Sequence, residues 1–147
     1  MTDAKLPTPP ALDQHLCFLI YNTSLKMTQV YKPLLSALNL TYPQYLVMVV
    51  LWEQQGLGIK DVAERLRQDS GSVTPVVKRL EAEGYLIRDR DPRDERNRVL
   101  TLTPAGQALR SAALRVHHDF AAACGATHDD VATLMQALGK LNNNLGA

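Results

Sequence analysis

Two thiols and a small set of tyrosine hydroxyls are the groups in this 147-residue chain whose types and spacing could act on a small molecule. Cys17 lies in the apolar run Leu16-Cys17-Phe18-Leu19-Ile20, with Tyr21 one helical turn further on, and Cys124 follows Ala121-Ala122-Ala123. A thiolate attacks the O–O bond of a hydroperoxide to give a sulfenic acid, which a second thiol captures as a disulfide. Such a site needs hydroxyl donors for the thiolate and the distal oxygen, plus an apolar wall that favours organic peroxides. No Lys, Arg or His stands three or four residues from Cys17, and His15 faces elsewhere. Help from a helix end requires the helix to start near Asp13, because that effect dies within a turn. Hydroxyl hydrogen bonds would otherwise carry the activation. On its residues alone, a single Cys in such a run ordinarily reads as a small core hydrophobe.

The second possible chemistry is electrostatic. Sixteen Lys and Arg against fifteen Asp and Glu give a net charge of +1, so any cationic face must come from how charges are sorted. Val73, Val76, Val77 and Leu80 recur at helical spacing and leave Ser72, Thr74, Pro75, Lys78 and Arg79 on the opposite side. Small polar residues followed one turn later by two cations suit a helix lying in a major groove. A solvated helix face that happens to carry Lys and Arg is the plainer alternative. Arg93, Asp94 and Arg96 fall in a charged segment just beyond.

The elements that must position these groups follow from periodicity. Ile59, Val62, Ala63 and Leu66 predict a short amphipathic helix, and Asp69-Ser70-Gly71-Ser72 a turn. Pro75 belongs near the start of the next helix, placing its N-cap around Gly71 or Ser72, and Gly84 ends it. Leu86–Arg90 and Arg98–Leu102 read as strands joined by the loop 91–97, with a first strand no longer than Leu57-Gly58. This is the pattern of a winged helix-turn-helix over 57–103. Before it, a long helix is expected from Leu12, kinked or broken by Pro33, and an apolar helix capped at Thr41-Tyr42-Pro43. After it, Thr103-Pro104 starts a helix striped by Leu109, Ala113, Val116 and Phe120. Thr127-His128-Asp129-Asp130 then caps a last helix carrying Val131, Leu134, Leu138, Leu141 and Leu145. The fold class is therefore mainly α with a small β hairpin, an α+β winged unit flanked by helices 11–38 and 104–145. Those flanks are more apolar than one small domain needs, and pairing with a second copy would bury them.

Composition bounds the rest. At 46% hydrophobic and 21% charged the chain suits one globular domain over 11–147, preceded by a flexible arm over 1–10. No apolar run reaches membrane-span length and Met1–Pro10 lacks a signal-peptide core, so a cytoplasmic location with no membrane partner is expected. The two cysteines form neither a metal-ligand spacing nor a disulfide framework, so no metal or cofactor is expected and both thiols should rest reduced.

The layout from Leu12 on resembles the multiple antibiotic resistance regulator (MarR) family of dimeric winged-helix repressors. Asp91-Pro92-Arg93-Asp94-Glu95-Arg96, followed by Leu100-Thr101-Leu102-Thr103-Pro104-Ala105-Gly106, is similar to that family's signature. Four further segments resemble the organic hydroperoxide resistance regulators within it. They are Leu16–Tyr21, Tyr31-Lys32-Pro33-Leu34-Leu35, Leu40–Tyr45 and Asp69–Pro75. The resemblance implies that Cys17 is the peroxide-sensing thiol, that Tyr31 and Tyr42 help position it, and that Arg96 enters a minor groove. It further implies that Cys124 marks the members whose sensing cysteine resolves to a disulfide. Palindromic double-stranded operator DNA, a second copy of the chain and an organic hydroperoxide signal are the partners it implies. Helix geometry adds one constraint. Cys17 and Tyr31 are fourteen residues apart on one helix, about 21 Å along its axis at 1.5 Å per residue. A tyrosine reaching the sensing thiol must then come from the other subunit, and the same is expected of Tyr42. Tyr21 is the same-chain donor.

Three other readings are open at this level. A thiol peroxidase would turn over on Cys17 and Cys124, but the chain lacks a βαβ pattern, a Cys-x-x-Cys motif and an Arg near Cys17. A winged-helix protein-interaction module should lack both Lys78/Arg79 and Arg93/Arg96, and this chain has both. A repressor gated by a small aromatic ligand leaves Cys17 unexplained.

Overall fold

The structure, a computed structural model, describes residues 8–146; residues 1–7 of the expected arm lie outside the described residues, and 8–10 are exposed and without regular structure. Among the described residues there are six α-helices and one antiparallel hairpin: α1 (Leu16–Ser36), α2 (Tyr42–Glu53), α3 (Ile59–Arg65), α4 (Ser70–Ala82), β1 (Leu86–Asp91), β2 (Asp94–Leu102), α5 (Pro104–Cys124) and α6 (His128–Asn144). The expected fold class, mainly α with a hairpin and winged, is the one found.

The winged unit is built around α2. Thr41 caps that helix reciprocally with Gln44: the Gln44 amide donates to Thr41 Oγ1 at 3.3 Å and the Thr41 amide to Gln44 Oε1 at 2.8 Å. Apolar on nearly every side, α2 buries Val47, Met48, Val50 and Leu51. Against it pack Val62 and Ala63 of α3, Val73, Val77 and Leu80 of α4, and Leu86, Leu100 and Leu102 of the hairpin. Each such Leu or Val contributes about 1.5–3 kcal/mol by leaving water. The expected short first strand is a single bridge, with the Leu100 amide donating to the Leu57 carbonyl at 2.7 Å.

A close approach fixes α5 to this unit. A Cβ on Gly106 would lie 2.1 Å from the Tyr85 carbonyl oxygen, so only glycine lets the first turn of α5 sit on the α4–β1 link. Trp52 Nε1 donates to the Gly106 carbonyl at 3.0 Å, and the Thr103 hydroxyl to the Gly84 carbonyl at 2.5 Å. The α5 and α6 caps on Thr103 and Thr127 form as expected.

Four local expectations are corrected. The first long helix begins at Leu16 rather than Leu12; Leu12–Gln14 form a 3-10 turn and His15 is extended, at φ −86°, ψ 116°. Pro33 does not end α1, which runs on to Ser36. One hydrogen bond is lost there, while Leu35, 1% exposed, is pinned against Tyr45, Ala113 and Val116. The N-cap of α4 is Asp69, not Gly71 or Ser72. Its Oδ1 accepts the Ser72 amide at 2.8 Å, a stronger cap than glycine offers, which puts Pro75 in the second turn. Gly71, which would have accepted the bond proline cannot make, is exposed, so the omission costs little. Finally, the expected loop 91–97 is mostly strand. Only Pro92 and Arg93 turn, and the extra residues of β2 are absorbed by a register shift beside Arg90/Asp91.

The flanking helices differ from this core. No described residue of α6 is buried, and Leu12, Leu16, Leu19, Ile20, Leu25, Val131, Leu134, Met135 and Leu138 are exposed.

Candidate functional site

Cys17 is exposed, which removes the core-hydrophobe reading. It is the second residue of α1, and the first intrahelical bond runs from the Leu19 amide to the His15 carbonyl at 3.2 Å. The amides of Leu16, Cys17 and Phe18 therefore precede the helical ladder, and the positive end of the helix lies at the thiol. Sequence reasoning tied such help to a start near Asp13; the break at His15 brings the helix end closer still. Around the thiol, Leu16, Leu19, Ile20 and the 64%-exposed Tyr21 form an apolar surface rather than a core.

The other thiol sits in an aromatic cluster at the far end of α1. Tyr31 stacks on Phe120 with ring centroids 3.9 Å apart, and its centroid lies 4.9 Å from that of Tyr42 and 5.9 Å from that of Tyr45. Cys124 is one turn beyond Phe120 on α5, at the helix end, before Gly125 in the left-handed region at φ 62°. Burial, reinforced by Tyr42, Tyr45 and Cys124, pushes the Tyr31 hydroxyl up to about 12. Burial likewise raises Tyr45. At neutral pH the Tyr31 hydroxyl keeps its proton, as a hydrogen-bond donor must.

One chain thus brings Tyr31, Tyr42 and Cys124 together and leaves Cys17 about 21 Å and Tyr21 about 15 Å from Tyr31 along α1. Phe120, read in the sequence as a stripe residue, and Tyr45 are also part of the cluster. The signal for Phe120 was present, since a residue four before Cys124 shares its helix face.

The cationic face is divided between α4 and the hairpin. Ser72, Pro75, Lys78 and Arg79 are exposed and Thr74 is half-buried. Both hydroxyls are engaged locally. The Ser72 hydroxyl donates to Asp69 Oδ2 at 3.2 Å and the Thr74 hydroxyl to the Ser70 carbonyl at 2.7 Å. Lys78 and Arg79 form no ion pair among the described residues, whereas Glu81 is held by Arg88 of β1 at 3.1 and 3.2 Å. That pairing removes an acid from the helix end and anchors the hairpin to α4.

At the hairpin tip, Arg93, Asp94 and Arg96 are all exposed. Asp94 Oδ1 accepts the Arg96 amide at 3.1 Å and Asp91 Oδ1 the Arg93 amide at 2.9 Å, so the acids shape the turn that carries the arginines. Arg90 and Arg98, which sequence reasoning passed over, stand directly opposite each other across the strands. Two like charges so placed repel, and an anion between them relieves this. Arginines at alternate positions in both strands were the available signal. Among the described residues no cluster of His, Cys, Asp or Glu could hold a metal ion, and no helix is long and apolar enough to cross a membrane.

Comparison with known proteins bears on this arrangement. The profile of the MarR family matches residues 40–97. The organic hydroperoxide resistance transcriptional regulator of Bacillus subtilis is 41% identical over 127 residues, 86% of each chain. The HTH-type transcriptional regulator TtmR of Methylorubrum extorquens is 40% identical over 147 residues, all of this chain and 75% of its own. Among solved structures, reduced AbfR bound to DNA superposes with a TM-score of 0.75 at 31% identity, covering 91% of this chain and 94% of that one.

Proposed function

This chain belongs to the MarR family of DNA-binding transcriptional regulators, and on that premise we propose that it is a homodimeric repressor that leaves a palindromic operator when an organic hydroperoxide oxidises Cys17. The observation that carries this reading is the split of the sensing groups between the two ends of α1. Tyr31, Tyr42 and Cys124 gather at one end and the exposed Cys17 begins the other. A second copy laid antiparallel on the exposed apolar face of α1 completes two equal sites.

The chemistry then balances within the dimer. The Cys17 thiolate attacks the distal oxygen of ROOH, the O–O bond breaks, and the alkoxide leaves as the alcohol ROH by taking up the proton that the thiol gave up. Cys17 is left as a sulfenic acid. Tyr31 and Tyr42 of the partner subunit, with Tyr21 of the same chain, donate hydrogen bonds to the thiolate and the peroxide. The thiol of Cys124 of the partner subunit next attacks the sulfenic sulfur, forming an S–S bond and releasing water. Closing that bond needs Cα atoms within about 7 Å, so the two helix ends must move together and the two winged units with them.

On DNA, each α4 would lie in a major groove through Ser72, Thr74, Pro75, Lys78 and Arg79. Each wing tip would enter the flanking minor groove through Arg96, with Arg93 and Asp94 shaping it and Arg90/Arg98 on phosphate. The decisive experiment is a heterodimer with Cys17→Ser in one chain and Tyr31→Phe in the other. The intact Cys17 then faces the unaltered Tyr31 of the Cys17→Ser chain and should react with cumene hydroperoxide at the wild-type rate. A rate as slow as that of the Tyr31→Phe homodimer overturns the shared site.

A further inference from the structure

The last turn of α3 closes as a Schellman motif, the Arg67 amide donating to the Glu64 carbonyl at 3.1 Å and the Gln68 amide to the Ala63 carbonyl at 2.9 Å. That motif requires a left-handed backbone at Arg67, which lies at φ 55°. Glycine adopts this conformation without strain, and a long side chain does not. Among the described residues Asn39 is the other non-glycine residue with positive φ, and Asn tolerates it. An arginine in glycine's place points to a use for its side chain. That side chain makes a bond across 75 positions of sequence: the Arg67 guanidinium donates to Asn142 Oδ1 near the end of α6.

Among the described residues this is the one side-chain hydrogen bond between α6 and another element. No described residue of α6 is buried, and the helix has no extended packing against the rest of its own chain. The bond borders an open cleft of about 710 Å³, lined otherwise by Glu64, Gln68, Asn143 and Gly146. Two side chains, rather than a packed surface, therefore carry the connection. On the α3 side it lands two residues before Asp69, whose carboxylate caps α4 through the Ser72 amide. We propose that Arg67 and Asn142 form a strut that ties the placement of α6 to the N-terminus of α4, so that a shift of α6 reaches the helix that reads DNA. Both side chains are exposed, so the bond adds little to folding stability and can part and re-form. α6 begins four residues after Cys124 and runs about 25 Å at 1.5 Å per residue, so a displacement at that thiol is delivered to the α3–α4 turn. This trigger rests on the function proposed above, whereas the strut joins the two helices with both thiols free.

The test uses the reduced full-length protein and a DNA duplex that the wild type selects from a random pool. Asn142→Ala should speed exchange of the Gln68 and Ser72 amides at least threefold, corrected for intrinsic rates, and leave the Val77 and Leu80 amides unchanged. It should also weaken binding of the duplex at least threefold. Asn142→Asp offers Arg67 a charged acceptor and should restore both to their wild-type values. Arg67→Gly keeps the left-handed turn without strain, so its thermal midpoint should not fall. It should nevertheless match Asn142→Ala at the Ser72 amide, and combining the two should add nothing. Unchanged exchange in Asn142→Ala, a loss of protection spread equally over Val77 and Leu80, no rescue by Asn142→Asp, or additive effects of the two substitutions would each overturn the strut. So would unchanged affinity in Asn142→Ala where Lys78→Ala weakens binding. Lys78→Ala with wild-type affinity would instead count against α4 as the reading helix, and the exchange results would still decide the strut.

Discussion

The winged unit and the helices around it solve the burial problem in opposite ways. In the winged unit, α2, α3, α4 and the hairpin close one core in which Met48, Leu51, Val62, Val77, Leu80 and Leu86 have no exposed surface. In the flanks, α6 buries none of its described residues, and α1 leaves most of its apolar residues open. The winged unit is finished by one chain, while the flanking helices leave apolar faces uncovered. A regulator gains from that division, because a signal acting where packing is incomplete shifts the heads without unfolding them.

The widest gap between the two regions should appear on disrupting each. Leu80→Ala in α4 removes a fully buried side chain and should cost about 2–5 kcal/mol of folding stability, read as a large fall in the denaturant midpoint. Leu138→Asp on α6 should leave the fold of the winged unit intact by circular dichroism while shifting the sedimentation profile to monomer. A Leu138→Asp protein that stays dimeric, or that unfolds as Leu80→Ala does, breaks the contrast.

A smaller effect separates positioning in the sensor from positioning in the head. Phe120→Leu removes the ring stacked on Tyr31, an interaction worth about 0.5–1.5 kcal/mol beyond area, and should slow Cys17 oxidation a few-fold with operator affinity unchanged. Arg96→Ala should do the converse. It should weaken DNA binding and lower its salt slope by about one, with an unaltered oxidation rate.

The same division explains what the sequence made legible. Regular apolar spacing at 59–66 and 73–80, with Thr103-Pro104 and Gly84 as punctuation, located the winged unit because its core is local and self-contained. The misreadings concern the start of α1, the prolines and the hairpin tip. Pro33 and Pro75 look like helix ends in isolation, yet tertiary packing of Leu35 and the Asp69 cap carry α1 and α4 through them. The charged segment 91–97 has loop composition, but ladder pairing extends to a two-residue turn. The aromatic cluster was only half visible. Tyr31 and Tyr42 came from a resemblance, whereas Phe120 was legible only as sharing the helix face of Cys124; its stacking on Tyr31 is set by the packing of α5 against α1, which no local pattern encodes. Gln44 was missed as well. The Thr41-x-x-Gln44 spacing announces a capping box, but not that the second half of the amide is left buried without a partner.

The finest distinction lies in how the wing is attached to the head. Arg88 lowers the Glu81 carboxyl from its usual value of 4.5, chiefly through the side-chain hydrogen bond, and the Arg88 amide donates to Glu81 Oε2 at 3.3 Å. A carboxylate lowered in the folded state contributes stability that is fully present above its unfolded value. That contribution is lost as pH falls through the lowered one. Acid should therefore loosen the α4–β1 junction before it melts the core, since no buried core residue of the winged unit titrates in that range. Both partners are partly exposed, so the effect is small and local. Amide exchange, corrected for intrinsic rates, should show the Arg88 amide losing protection as pH falls below the ordinary Glu value of 4.5, ahead of Leu80 and Leu86. Glu81→Gln should flatten that profile while leaving the core amides as they were. Equal loss of protection at Arg88 and Leu86, or an unchanged profile in Glu81→Gln, would mean that the hairpin is held by its apolar residues alone. The wing would then belong with the finished core rather than with the parts of this molecule that respond to conditions.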